Sequence, residues 1–238
     1  MNNQIENVLA EIVIPCFNEE KNLESLFEQC KLNSIASDST IRFVIVENGS
    51  TDRSVEIIDN FRKNDSSIRF VMLDKNMGYG GGILAGLRSS KASLLGWTHA
   101  DLQTPLRDCV TGVRLLVSGY DFVKGERQNR SIGDKFFSVG MGIFESLVFR
   151  HYLYEINAQP TLFKRSFHGT WENPPSDFSL DLYALVLAMK NNAKIQRFPV
   201  FFHPRIYGNS KWNMGIYSRI RFILRTLHFS FGLRRSLR

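Results

Sequence analysis

Four short polar clusters mark the first half of the chain: PCFNEE (15–20), ENGSTD (47–52), NMGYGGG (76–82) and THADLQTP (98–105). Each has an ordinary explanation by itself. Asn18, Glu19 and Glu20 can cap a helix, and ENGSTD can be a simple turn. The glycines between 78 and 82 can serve close packing, or they can let backbone amides approach a ligand. They do not spell G-x-G-x-x-G, and the lysine of a phosphate-binding P-loop is absent. What sets the clusters apart is that each follows a short apolar run. In open α/β sheets ligands bind at the carboxyl ends of the strands, so the four are expected to meet at one crevice.

The elements that would place them there follow from periodicity. Glu11–Cys16, Arg42–Val46, Arg69–Leu73 and Ser93–Thr98 are continuous apolar runs of strand length. Between them Asn22–Leu32, Val55–Phe61 and Gly78–Ser89 have helical spacing. Strands without polar alternation, separated by helices, predict parallel pairing covered on both faces. The fold class expected is α/β, a doubly wound and mostly parallel sheet in a single domain. Further on, Leu106–Ser118, Phe136–His151 and Asp177–Asn191 read as helices, and Asp121–Lys124 and Ile195–Val200 as strands. No internal repeat or low-complexity linker interrupts them.

Composition excludes several classes. The 238 residues are 43% hydrophobic and 22% charged, the balance of an ordinary globular chain. Thirty Lys and Arg against 23 Asp and Glu give a formal charge of +7. One Lys and six Arg, with no acid, fall between Lys211 and Arg238, so residues 1–210 balance at 23 bases and 23 acids. A neutral body argues against a nucleic-acid binder, which would spread basic and aromatic residues across the fold. Cys16, Cys30 and Cys109 lack C-x-x-C spacing, so neither a disulfide framework nor a zinc site is expected. The N-terminus does not read as a signal peptide, and no run of 18 apolar residues suggests a membrane span. A cytoplasmic protein is the resulting expectation.

The four clusters, written out as IVIPCFNEE, VENGSTD, NMGYGGGILAGL and HADLQTP, resemble the motifs of family-2 glycosyltransferases with a GT-A fold. The resemblance is to the polyprenyl-phosphate type, and NAQPTLFKR (157–165) and PRIYGNSKW (204–212) extend it over roughly residues 10–215. It implies a GT-A domain over 1–210 followed by a basic amphipathic tail over 211–238. It also implies inverting transfer of a sugar from a nucleotide-diphosphate donor to a membrane lipid, with polyprenyl phosphate as the expected acceptor. The diphosphate leaving group calls for Mg2+ or Mn2+.

The implied roles carry over residue by residue. Pro15, Phe17, Glu19, Val46 and Asn48 would touch the nucleoside, with His99 and Ala100 also on the donor side. The metal-facing D-x-D-x-Q positions are occupied here by His99, Asp101 and Gln103, so the first acid has become a histidine, a ligand that suits Mn2+ better than Mg2+. The usual Asp-Asp-Gly-Ser is Glu47-Asn48-Gly49-Ser50, and the amide at 48 leaves base preference open. Arg205 and Lys211 match positions that hold the diphosphate. Arg127, assisted by Arg130, matches a position that binds the acceptor phosphate with a guanidinium fork. Asp101 and Asp181 are the catalytic candidates. Asp181 would be a general base for a hydroxyl acceptor, whereas a phosphate acceptor is already anionic and leaves Asp181 to hold a sugar hydroxyl or cap a helix. Asp52 is expected to cap the helix that follows it.

In the tail Ile216, Ile220, Ile223, Leu224, Leu227 and Phe231 share one helical face, with Arg219, Arg221 and Arg225 on or beside the other. Such a helix suits an anionic membrane surface, as a peripheral contact on the cytoplasmic face. It equally suits packing on the core, and a membrane-protein partner would supply the same anchor. Two alternatives stay open: transfer to a hydroxyl of a surface polysaccharide or lipid-linked saccharide, and a non-catalytic nucleotide-sugar-binding subunit, which the histidine at 99 motivates.

Overall fold

A computed structural model describes residues 8–38, 40–128, 132–204 and 216–237. Four parallel strands, β1 (Ala10–Cys16), β2 (Ile41–Asn48), β3 (Arg69–Leu73) and β4 (Leu94–Trp97), are joined by α1 (Leu23–Ile35), α2 (Ser54–Asn64) and α3 (Gly78–Ser89). The chain continues through α4 (Arg107–Val117), β5 (Phe122–Gln128), α5 (Ile132–Phe149), β6 (Thr161–Lys164) and a single turn, α6 (Arg165–His168). It then forms α7 (Leu180–Lys190), β7 (Ile195–Phe201) and α8 (Ile216–Ser236). The spatial order is β3-β2-β1-β4-β6-β5-β7, and β6 alone runs antiparallel to its neighbours.

The apolar strand runs explain this layering. Ile12 and Ile14 of β1 enter the layer beneath α1, α2 and α4, while Val13 enters the opposite layer beneath α3 and α7. A strand buried on both faces must be apolar at every position, which is how β1 and β2 read. Because β6 is antiparallel to both β4 and β5, those two strands point the same way. The carboxyl ends of β1 to β5 and β7 therefore open on one edge. Cys16, Cys30 and Cys109 are buried free thiols. Among the described residues no helix is long and apolar enough to cross a membrane.

Two features differ from the periodicity reading. The apolar run of β6 is only Leu162 and Phe163, between Thr161 and Lys164, too short to read as a strand, so sequence inspection passes over the strand that separates β4 from β5. In α8 the buried positions include Thr226, Ser230 and Leu233, whereas Leu224 and Phe231, part of the apolar stripe, face outward. Of the other stripe residues, Ile223 and Leu227 are half-buried, and the side chains of Ile216 and Ile220 lie outside the described set. Leu233 joins the layer beneath α7, and the Ser230 hydroxyl donates to Glu145 Oε1 of α5 at 2.7 Å.

Glu145 is fully buried, its Oε2 has no hydrogen-bond partner, and burial raises its pKa to about 7 despite the Ser230 bond. The folded protein thus holds this proton more tightly than the unfolded chain does. Stability is expected to fall as pH rises from about 4.5 to about 7, by on the order of 3 kcal/mol. Glu145→Gln should remove this component. Melting curves at pH 5 and pH 8 are expected to differ by about 5 °C more for the wild type than for the variant, given roughly 2–4 °C per kcal/mol at this size. Parallel pH dependences would refute the assignment.

Candidate active site

The strand-end loops are sewn to one another before any ligand is considered. The Asn18 backbone N–H donates to Ser50 Oγ at 3.0 Å, and Thr51 N–H donates back to Asn18 Oδ1 at 2.8 Å. Asp52 accepts from Ser54 N–H, the first residue of α2, and from Glu20 N–H, so it joins the two loops as well as serving the helix start. The buried Glu47 carboxylate turns back to accept from the N–H groups of Gly49 and Ser50, at 3.1 and 2.6 Å. Gly49 has φ +70°, and a Cβ there would lie 2.4 Å from Asn76 N, so the turn requires glycine.

Asn48 reaches the third loop. Its Nδ2 donates to Gly78 O at 3.0 Å and its Oδ1 accepts from Met77 N–H at 3.0 Å. The amide thus does in one side chain what an aspartate, an acceptor only, does not. The glycine run proves to be a packing device at its centre. A Cβ on Gly80 would come within 2.7 Å of the carbonyl oxygens of Pro175 and Asp177, so α3 can start directly against the segment leading into α7.

The fourth loop holds the candidate metal-facing residues. Asp101 is 7% exposed and its Oδ1 accepts from Gln103 N–H at 3.2 Å. The Gln103 side chain donates to His203 O at 3.0 Å, and His203 N–H donates to Gln103 O at 2.8 Å, which brings the end of β7 to this loop. His99 is half-buried with its ring 5.6 Å from that of Tyr79, and Tyr79 stacks on Phe178 at 4.6 Å. Phe178, Tyr79 and His99 make an aromatic row from the entry of α7 to the end of β4.

Behind this row lies a buried polar cluster that the sequence reading did not foresee beyond Asp181. Register places Thr161 of β6 opposite both Trp97 of β4 and Lys124 of β5. Lys124 is fully buried, and its Nζ donates to Thr161 Oγ1 at 2.7 Å and to Asp181 Oδ1 at 3.2 Å. Gln159 Nε2 donates to the same oxygen at 2.9 Å, and Tyr79 O–H donates to Oδ2 at 3.0 Å. Burial lowers the Lys124 pKa to about 8, with Asp181 opposing the shift. The Tyr79 hydroxyl is held well above its ordinary value by burial and by the Asp181 charge. Gln159 Oε1 is buried without a protein partner, an acceptor that a ligand hydroxyl would satisfy. The sequence signals for this cluster are a lysine inside the apolar run FVK, Tyr79 in NMGYGGG, and Gln159 and Thr161 in NAQPTLFKR.

The other expected residues distribute as follows. Pro15, Phe17 and Glu19 are half-buried at the end of β1, and Glu19 Oε2 accepts from Asn22 Nδ2. Val46 and Ala100 are buried, one in each of the two core layers. Arg127, at the end of β5, donates from Nε to Glu155 Oε2 at 2.6 Å, with its guanidinium 6.0 Å over the Phe202 ring. Arg130, Arg205 and Lys211 lie outside the described residues.

No group of three His, Cys, Asp or Glu gathers to hold a cation among the described residues. Asp101, Gln103 and His99 offer one carboxylate, one amide and one imidazole. That set would leave an ion to complete its shell with water and substrate phosphates, and the imidazole suits Mn2+ better than Mg2+.

The model of glycosyl transferase family 2 matches residues 11–174. An undecaprenyl-phosphate 4-deoxy-4-formamido-L-arabinose transferase of Pseudomonas aeruginosa PAO1 is 33% identical over 123 residues, 51% of this chain and 36% of that protein. Its counterpart in Aeromonas hydrophila is 31% identical over 129 residues, 54% of this chain and 40% of that protein. The chain thus aligns with well under half the length of these relatives. Glucosyl-3-phosphoglycerate synthase of Mycobacterium tuberculosis, crystallised with Mn2+, UDP and glucosyl-3-phosphoglycerate, superposes with a TM-score of 0.69 at 16% identity. That superposition covers 94% of this chain and 80% of the synthase, and it shows a shared fold. From the strand-end motifs, the sheet that gathers them and the family match over 11–174, the chain belongs to glycosyltransferase family 2.

Proposed function

We propose that this protein transfers a sugar from a nucleotide-diphosphate sugar to a lipid phosphate of the polyprenyl-phosphate class, with inversion at the anomeric carbon. One observation favours a phosphate over a hydroxyl acceptor. Asp181, the candidate base, is 2% exposed and already takes bonds from Lys124, Gln159 and Tyr79. A carboxylate held by three donors is poorly placed to take a proton from an acceptor hydroxyl, and a phosphate oxygen arrives without one to lose. The names of the undecaprenyl-phosphate relatives support the same acceptor class.

In this reading the nucleoside lies over the ends of β1 and β2, beside Pro15, Phe17, Glu19 and Asn48. The sugar rests against Tyr79 and Phe178, with Gln159 Oε1 as acceptor for one of its hydroxyls. Asp101, with Gln103 and His99, would hold a divalent cation at the diphosphate, where it supplies positive charge to the departing oxygen. Arg205 and Lys211 contribute further charge to the diphosphate. Arg127, with Arg130, receives the acceptor phosphate. The acceptor oxygen bonds to the anomeric carbon as the bond to the diphosphate breaks, and the nucleoside diphosphate leaves. The reaction takes place on the cytoplasmic face, where the buried thiols stay reduced.

The test is a thermal-shift screen of nucleotide-sugars, followed by transfer of the stabilising sugar to a short-chain, water-soluble prenyl phosphate. A donor that binds without transfer or hydrolysis, with either cation, would instead indicate a non-catalytic subunit. Arg127→Ala is expected to raise the KM for the acceptor about tenfold or more, since a charge-assisted bond contributes about 1.5–3 kcal/mol, with donor KM little changed. An unchanged acceptor KM would remove Arg127 from the acceptor site.

A further inference from the structure

Three basic side chains gather where β5 and β7 pair. Lys124 and Arg197 stand opposite each other in the β5–β7 register, and Arg127 follows at the end of β5. The charges of Arg197 and Arg127 both act on the Lys124 ammonium. Two of the three are answered, Lys124 by Asp181 at 3.2 Å and Arg127 by Glu155 at 2.6 Å. The terminal nitrogens of Arg197, Nη1 and Nη2, are buried and have no hydrogen-bond partner among the described residues. Its guanidinium lies 4.1 Å from the centre of the Tyr154 ring. Burial lowers its pKa below the ordinary value, with the charges of Tyr154, Glu126 and Glu155 opposing the shift. Buried donors of a cation that meet no acceptor are costly, and they call for an anion.

One short stretch covers both arginines, because Tyr154 and Glu155 are neighbours in the segment between α5 and β6. Glu155 has φ +45°, the left-handed region that a residue with a Cβ enters at a cost and that recurs at ligand clamps. Ala158 N–H donates to Glu155 O at 3.1 Å, closing a turn that leads directly to Gln159, whose Oε1 is the unpaired acceptor beside Asp181. The Arg127 and Glu155 side chains keep 14% and 15% exposure, so solvent reaches this pair before it reaches Arg197.

We propose that Arg197 and Arg127 form a two-guanidinium seat for the acceptor phosphate, and that the Glu155 carboxylate fills the seat until that phosphate displaces it. This rests on the lipid-phosphate reading above, and it adds Arg197 to the residues that bind the acceptor. A carboxylate brings one charge and two oxygens. A phosphate monoester brings close to two charges and three terminal oxygens, enough to engage a fork from each arginine. The exchange therefore favours a monoester over the resident carboxylate, and over a phosphodiester with its single charge.

Binding would be measured by calorimetry on the full chain, without sugar donor or divalent cation. The probes are inorganic phosphate, a short-chain prenyl phosphate and the matching prenyl alcohol. The wild type is expected to bind both phosphates, each displacing the other, and to leave the alcohol unbound. Arg197→Gln should weaken prenyl phosphate about tenfold or more, the loss of a charge-assisted bond, with the melting temperature near wild type because no protein partner is lost. Glu155→Gln should bind both phosphates about fivefold tighter, since a like charge leaves the seat. A merely structural Arg197 would instead show a lower melting temperature with unchanged phosphate affinity, and that pattern would overturn the proposal. So would unchanged or weaker phosphate binding in Glu155→Gln. Inorganic phosphate that prenyl phosphate does not displace would remove the acceptor from the seat. Prenyl phosphate that binds as expected and receives no sugar would count against the transferase reading alone, because binding is scored without turnover.

Discussion

Asp101→Asn is expected to lower sugar transfer by about a hundred- to a thousandfold while leaving the protein folded. The size follows from the loss of charge stabilisation at a leaving group, where one missing interaction typically costs about 3–4 kcal/mol of barrier. The fold should tolerate the change because Asn keeps the oxygen that accepts from Gln103 N–H, the contact that orders the loop. A stability change within about 1 kcal/mol is therefore expected. The measurement is initial rate against Mn2+ and Mg2+ concentration, with melting temperature as the control for folding. If the carboxylate carries the cation, excess metal should recover part of the lost rate. Near-wild-type transfer at low metal would show that His99 and Gln103 suffice, and the assignment of Asp101 would fall.

The parts of this site that sequence inspection reached, and those it missed, divide along a physical line. β1 to β4 are legible as continuous apolar runs of strand length and the helices between them by their helical spacing, and the loops follow where these patterns stop. Asp101, Gln103 and Asn48 sit in those loops, close in sequence to the strands that position them. The Lys124 cluster draws on α3, β5, β6, α7 and the 157–160 segment, so no local pattern announces it. Its key register, Thr161 opposite both Trp97 and Lys124, depends on β6, a strand whose apolar run is only Leu162 and Phe163. The outward turn of Leu224 and Phe231 is likewise tertiary. Helical spacing shows that a stripe exists, but the Ser230–Glu145 bond and the docking of Leu233 fix which side faces the body.

Lys124→Met should be the most destabilising single substitution among those considered, by about 3–5 kcal/mol. Removing the ammonium leaves the Asp181 carboxylate buried with only the Gln159 and Tyr79 donors, and an uncompensated buried charge carries a cost of that order. At about 2–4 °C per kcal/mol the melting temperature falls by roughly 6–20 °C. The decisive comparison is the double variant Lys124→Met/Asp181→Asn. If charge compensation is what the lysine supplies, removing both charges should restore more than half of the loss, a coupling of about 2 kcal/mol or more. A loss explained by packing alone would instead add across the two sites. The same pair bears on the crevice, because Asp181 Oδ2 accepts the Tyr79 hydroxyl and Tyr79 stands between Phe178 and His99. Released from Asp181, the Tyr79 ring loses its anchor, and the surface proposed to carry the sugar loses its shape. The double variant is thus expected to regain stability before it regains transfer, since Asn restores neutrality but offers a weaker acceptor to the tyrosine than the carboxylate does.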